Sequence, residues 1–570
     1  MKFCLPPKIA NEFLRAVKSG ELDVVKLADM ESAARRDFLS KYVGEAAAKE
    51  VNALFESKLL LKNQEAGLIN WIKSVGGLKP KEVNDLVSRV RKMDKVLNPA
   101  EQEAFLADLA AKKLGTDVTF EEAQKITELS DDITKVEQKM DPETATFPTE
   151  ADRLDYGRSK VALEDFVNDL KTKSEKLTLK DFKKDPFGST KKSFVDFAGL
   201  TKSLKASFDN SVIGRQGLKV LFTHPKIWLK NAKQSFVDMY RTYGGKNVMD
   251  EIRADVLSRP NAIKGLYKAE KLAVGVTEEA FPTNLPERIP GIGRAFKASE
   301  SAFTGFQYRT RADIFDKFMQ IAEQTGADTT GIGKVANSLT GRGNLGFAEP
   351  IANTVNNVFF SPRFLKSNFD LLTAHLLDKN IGSFARKQAA INLVKVVGGI
   401  ATILTIAKAI DPKSVDFDPR SADFGKIRVG NTRFDVSGGM GSLVTLASRV
   451  ITQESKSSTT GKITKLNTGL FGAPTVADLL ASFAGNKLSP VGGIVRDTLL
   501  KGEDFEGNKP TVGGELKNLL APLPYTNIQE LLADPKADSA TIVAAIIADA
   551  LGISTNTYVP KKKKKKKTTN

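Results

Sequence analysis

The chain has 570 residues, with 85 Lys or Arg against 68 Asp or Glu, a formal net charge of +17 at pH 7. Its 41% apolar and 27% charged content excludes a disordered chain and fits roughly two to four domains with sizeable cores. One cysteine, Cys4, and two histidines, His224 and His375, exclude a disulfide framework and a Cys- or His-rich zinc site.

Met1-Lys2-Phe3-Cys4 leads into Pro6 and Pro7 with no apolar segment of the secretory type, so no signal peptide is expected. Residues 1–145 carry apolar side chains at three- and four-residue spacing, broken at Gly76-Gly77, Lys79-Pro80 and Asn98-Pro99. That pattern predicts a helical array. Met140 to Glu150, with two prolines, is a linker candidate, and a long charged helix is expected from about Ala151 to Lys176.

Net charge is concentrated. Lys561 to Lys567 form one run at the C-terminus, and residues 180–246 hold fourteen Lys or Arg against five Asp or Glu. The first is expected to be a disordered tail, because seven adjacent ammonium groups cannot be buried. The second points to a polyanionic partner, either nucleic acid or an anionic membrane surface. Within it, Pro225 suits the first turn of a helix and Gly244-Gly245 its end. Trp228, Ala232, Phe236, Met239 and Tyr243 share one face of that helix; Lys226, Lys230 and Lys233 share another. Three readings stand: lysines over a core-packing stripe, contact with a phosphate backbone, or seating in a membrane interface. Arg215, Lys219, Lys226, Lys230, Lys233, Arg241, Arg428 and Arg433 are the candidate polyanion-binding residues.

Pro282, Pro286 and Pro290 mark a loop, and a helix from about Arg294 to Gln324 follows. Its stripe of Phe296, Phe303, Phe306, Ile314 and Phe318 is expected in the core. Ser383 to Ile410 is the most apolar helix. Its uncharged centre, Val396 to Ala407, is about 18 Å long at 1.5 Å per residue, against a bilayer core of about 30 Å. A buried core helix is expected, with conditional membrane insertion as the alternative and no confident transmembrane helix.

Asp416 to Val436 contains the one expected β-hairpin, turning at Gly430-Asn431. Its register sets Lys426 opposite Asp435, Ile427 opposite Phe434 and Arg428 opposite Arg433. Two arginines across a ladder repel, so an acidic loop of Asp416, Asp418 and Asp423 is expected to fold back on them. An outside anion is the alternative. The run Ile542 to Ile547 is expected in a core.

The fold class expected is mainly α: a multi-domain helical assembly with one small β-hairpin at about 425–436. Its parts are a helical array (1–145), a linker and charged helix (146–185), and a basic and aromatic helical domain ending in the apolar helix (186–410). The hairpin with C-terminal helices (411–558) and the tail (559–570) complete it.

Signatures of catalysis fail on context. Gly341 to Gly346 spells a dinucleotide fingerprint but follows a helix end, with no βαβ unit around it. Gly331-Ile332-Gly333-Lys334 lacks phosphate-loop spacing, and Asp423-Phe424-Gly425 runs straight into the hairpin without the other kinase motifs. His224, before a proline at a helix start, is expected to cap or pack; His375 is expected to be partly buried. No enzyme, cofactor or metal is expected.

One resemblance covers roughly residues 190–558. The segment Asp418 to Gly439 (DPRSADFGKIRVGNTRFDVSGG) is similar to the large polyvalent protein associated domains of tailed bacteriophages. So are, in order, Leu221–Pro225, Leu257–Ala262, Leu339–Gly346, Asn357–Arg363, Lys487–Pro490 and Leu551–Tyr558. The resemblance implies a phage origin, in large multi-module proteins or near virion genes, and carries no site residues. The function expected is a non-enzymatic virion-associated structural protein, internal or delivered with the genome, whose partners are phage virion proteins and either DNA or anionic membrane. Its expected location is the virion or the host cytoplasm. Alternatives are an accessory scaffold module in the infected cell, or a hydrolase with an unrecognised carboxylate pair.

Overall fold

A computed structural model describes residues 30–45, 118–173, 212–274, 293–346, 361–469, 474–488, 537–550 and 553–558 as continuous stretches, with scattered positions between them. Several expectations lie outside the described residues: Cys4, the breaks between residues 76 and 99, the basic stretch 180–211, the prolines at 282–290, the side chain of His375 and the lysine tail. The chain divides into two compact units, residues 1–139 with 159–176, and residues 140–158 with 177–570.

The first unit is helical where described. Helix α1 is Ser32–Val43 and α2 is Phe120–Glu137. Thr119 and Glu122 close a reciprocal capping box at the start of α2, which satisfies two backbone N–H groups that have no partner within the helix. Ala123, Ile126 and Ile133 are buried along one face of α2. Helix α3, Glu150–Lys173, gives its second part to this unit, where Val161, Leu163 and Leu170 are buried.

The second unit begins with a tight turn. The Asp141 amide donates to Thr146 O at 2.9 Å, and its carboxylate accepts from Glu143 N at 2.9 Å. The bond from Glu143 N, with one from the Thr144 hydroxyl at 2.9 Å, holds the Asp141 carboxyl below its usual range. A π-helical turn at Val212–Gln216 leads into α4 (Leu218–Thr223) and α5 (Pro225–Tyr243). Next come α6 (Val248–Leu257), α7 (Pro260–Ile263) and α8 (Leu266–Ala269). The first turns of α3 press closely on α6: a Cβ on Gly157 would lie 2.2 Å from Ala254 O, so only glycine allows this approach.

Helix α9, Gly293–Thr325, is the axis of the unit. At 33 residues it is about 50 Å long. The expected aromatic stripe is in the core: Phe296, Phe303, Phe306, Ile314 and Phe318 are at most 6% exposed. Helices α10 (Ile332–Leu339), α11 (Pro362–Leu377) and α12 (Ser383–Ile410) join α4, α6 and α9 in one apolar cluster. Glycines 341 and 346, both at positive φ, turn the chain after α10, so the fingerprint-like segment is the turn expected after a helix.

The hairpin has the expected register. Strands β1 (Lys426–Val429) and β2 (Thr432–Asp435) pair Lys426 with Asp435, Ile427 with Phe434 and Arg428 with Arg433. Helix α13 (Met440–Thr452) leaves the hairpin, and a second hairpin joins β3 (Glu454–Lys456) to β4 (Ile463–Lys465). The latter is absent from the sequence expectation because three-residue strands give no readable alternation. Helices α14 (Val476–Gly485) and α15 (Ser539–Ala550) precede β5 (Ser554–Thr557), which adds to the outer edge of β2. The molecule is mainly helical with small antiparallel sheets. On α15, Ala545 is buried, but Val543 and Ile546 are 55% and 40% exposed, so that run is not wholly in a core.

Candidate basic and apolar interface on α5

Helix α5 has the boundaries its Pro and Gly-Gly signals predict. The core-packing reading of its stripe holds in part: Ala232 is buried and Trp228 packs against the same cluster, while Phe236 and Tyr243 are exposed. Asn231, Ala232, Ser235, Asp238 and Thr242 are buried, whereas Leu229, Phe236, Val237, Tyr240 and Tyr243 are between 40% and 82% exposed. Trp228 alone of the large aromatics turns inward, its Nε1 donating to Ile213 O at 2.9 Å.

The cause lies on α9, which presents polar groups to α5. Arg309 pairs with the fully buried Asp238, Asn231 Nδ2 donates to Asp313 at 3.0 Å, and Ser235 Oγ donates to Ala302 O at 3.0 Å. Gly305 keeps the two helices close, since a Cβ there would sit 2.8 Å from Asp238 Oδ2. Buried polar groups need such partners, so Asn231, Ser235 and Asp238, at four- and three-residue spacing, turn toward α9. The apolar stripe then faces outward. The readable signal was this polar stripe, matched by Arg309, Asp313 and Asp316 on α9.

An ion cluster lies beside this interface. Arg259 pairs with Asp255 at 3.1 Å, Asp313 at 2.8 Å and Asp316 at 3.1 Å. Asn261 and the Tyr267 hydroxyl donate to Asp316 at 2.8 and 2.9 Å, and Arg153 reaches Asp255 at 2.8 Å. Burial lowers the Arg259 pKa, but the three surrounding carboxylates more than offset it and leave it raised. The motif Leu257 to Ala262 therefore serves as a bracket from α6 and α7 to α9.

The eight candidate residues are not brought together. Lys219 is 1% exposed, with Nζ donating to Asn368 Oδ1 at 2.7 Å, Ser338 O at 3.3 Å and Ser367 Oγ at 3.4 Å. Desolvation pushes its pKa down to about 7, opposed by Asp370. As a buried group it presents nothing to a partner in solution, a correction to its place among surface cations. Arg433 is likewise buried: Nε donates to Asp423 at 3.2 Å, and the guanidinium lies 5.0 Å from the Tyr558 ring centroid. Arg428 stays exposed and donates to Gly430 O at 3.2 Å. The acidic loop thus answers only one of the two facing arginines. Asp416 pairs instead with Lys456 at 2.9 Å, and Asp418 with Arg420 at 2.8 Å. Arg241 is held by both carboxylate oxygens of Glu251 at 2.8 and 2.9 Å, which raises its pKa. Arg215 is half-buried.

Lys226, Lys230 and Lys233 remain exposed on α5. Lys230 touches Asp313 at 3.2 Å while 67% exposed; Lys226 and Lys233 have no ion-pair partner among the described residues. By helical spacing Lys233 stands within the apolar stripe of Leu229, Phe236, Tyr240 and Tyr243, and Lys226 and Lys230 run along its edge. The face is lysine-rich in its first half and aromatic in its second.

At the start of α5, His224 is 6% exposed, packs edge-on against Phe318 at 5.6 Å and shares a 3.0 Å hydrogen bond with Thr223 Oγ1. It packs and does not cap. Burial depresses its pKa to about 4, with Lys317 and Lys395 adding to the effect. Lysines from α9 and α12 thus surround the point where α5 begins. Among the described residues no three His, Cys, Asp or Glu side chains gather as a metal site would need. No protein-family model, curated protein or solved structure matches the chain.

Proposed function

We propose that this chain is a non-enzymatic structural protein of a tailed-bacteriophage particle, and that it seats on an anionic membrane through the solvent face of α5. The ordered series of segments resembling the phage polyvalent modules supports the origin. The observation that carries the membrane reading is five large apolar side chains exposed on the same helix face as three lysines. Nucleic acid would use the lysines but gain little from Leu229, Val237 and Phe236, because phosphate contacts are electrostatic. A membrane interface uses both, lysines against headgroups and aromatic rings at the acyl boundary.

The test is sedimentation with vesicles of mixed phosphatidylglycerol and phosphatidylcholine, with phosphatidylcholine alone, and binding to non-specific duplex DNA, each at rising salt. Retention on the anionic vesicles is expected. Replacing Lys226, Lys230 and Lys233 together by Gln is expected to weaken it roughly a hundredfold, at about 1 kcal/mol per lysine. A steep salt-dependent DNA affinity without vesicle retention overturns the membrane reading. Mass spectrometry of purified particles tests the virion assignment, which absence of the chain overturns.

A further inference from the structure

Helix α12 poses a separate problem. It is the one helix among the described residues long and apolar enough to cross a membrane, yet only 22% of its most apolar 18-residue window is buried. A helix that is apolar on all sides belongs inside a core or inside lipid. The protein covers one side of α12: Ala385, Ala389, Asn392 and Val396 face the core, and Gly399 lies against Phe222, where a Cβ would approach to 2.3 Å. Leu404, with Ile400, Ile403 and Ala407 beside it, packs on Val415 and Val436. On the rest, Val394, Val397 and Ile406 are 71%, 50% and 56% exposed. The one hydroxyl there with a resolved bond, Thr402 Oγ1, donates back to Gly398 O at 2.8 Å, the internal satisfaction a hydroxyl needs away from water.

Charge identifies the occupant. The 28 residues of α12 hold four cations, Arg386, Lys387, Lys395 and Lys408, and no acid. Lys387 and Lys395 are exposed, and Lys395 also lies near His224 at the start of α5. Arg386 and Lys408 are engaged by the protein, at Asp378 O and Val415 O. An apolar partner protein does not call for the exposed Lys387 and Lys395, whereas an anionic lipid leaflet does. We infer that the outer face of α12, from Val394 to Ala409, beds in the acyl-chain layer of an anionic bilayer while its inner stripe stays on the protein. This rests on the membrane reading of α5 and extends it, from a surface contact to a helix that leaves water.

The experiment uses the full chain on a Cys4→Ser background, with an environment-sensitive fluorophore at Val394→Cys or, as control, at the exposed loop position Thr459→Cys. Capture by the anionic vesicles is scored by sedimentation, and insertion by quenching from acyl-chain nitroxide lipid. Val394 is expected to shift to the blue and be quenched; Thr459 is not. Ala401→Asp, at an exposed position that the fold does not need, is expected to weaken insertion roughly a hundredfold and to let high salt wash the protein off. Capture with no quenching at Val394 overturns the inference and leaves the α5 reading standing. Absence of capture overturns both. Quenching that persists in the triple Lys→Gln variant of α5, once that variant is bound, sustains the α12 inference without α5.

Discussion

Lys219 offers the most direct check on how the core of the second unit is held. Its amine is 1% exposed and hydrogen-bonded to Asn368, Ser338 and Ser367, with its pKa lowered from 10.5 to about 7 by desolvation. In the unfolded chain the same amine titrates near the ordinary lysine value. Between pH 7 and 10.5 the unfolded state therefore holds a proton that the native state lacks, so stability rises with pH across that window. Below pH 7 both states are protonated and the native state bears the full cost of a buried ammonium. From pH 7 to pH 9 the gain is about 2 kcal/mol, at about 1.36 kcal/mol per unit once the native amine is neutral. Lys219→Met keeps the chain length and removes the titration. Urea unfolding of both proteins at pH 7, 8 and 9 should show the wild-type advantage growing by about 2 kcal/mol relative to the variant. A difference that stays flat, or shrinks, refutes the claim that desolvation dominates at this amine.

Three further outcomes are expected. His224, held neutral down to about pH 4, is protonated first in the unfolded chain; stability should fall by up to about 3 kcal/mol as pH drops from 6.5 to 4. Thermal unfolding at both ends of that range should show the loss, with His224→Phe removing it. Arg259→Ala leaves Asp255, Asp313 and Asp316 without their shared cation and should cost about 3–5 kcal/mol by urea midpoint, with Arg259→Lys intermediate because it cannot fork between carboxylates. Asp423→Ala strands the buried Arg433 beneath Tyr558 and should cost about 3 kcal/mol, most of it recovered by adding Arg433→Thr in a double-mutant cycle.

What could be read along the chain was local. Pro225 and Gly244 delimited α5, the Gly430-Asn431 turn set every pair in β1 and β2, and the phenylalanine stripe of α9 named its own buried face. In each case turn chemistry or periodicity within one element decides the outcome. The facing of α5 was not readable in that way. Its apolar residues suit a core, and only the carboxylates and Arg309 on α9, some seventy residues away, make the polar stripe the better one to bury. Lys219 looks like a surface cation in sequence and becomes buried because Asn368, from a distant segment, accepts its hydrogen bond. Arg433, by contrast, is buried against Asp423 of the nearby acidic loop that was expected to fold back on it. Strand β5 joins β2 from more than a hundred residues downstream. Local propensity acts between neighbours in the chain, whereas desolvation and partner choice depend on which surfaces meet. Helix length, turn register and the buried face of α9 therefore belonged to the sequence, and the face that α5 turns to water was settled only by the packing.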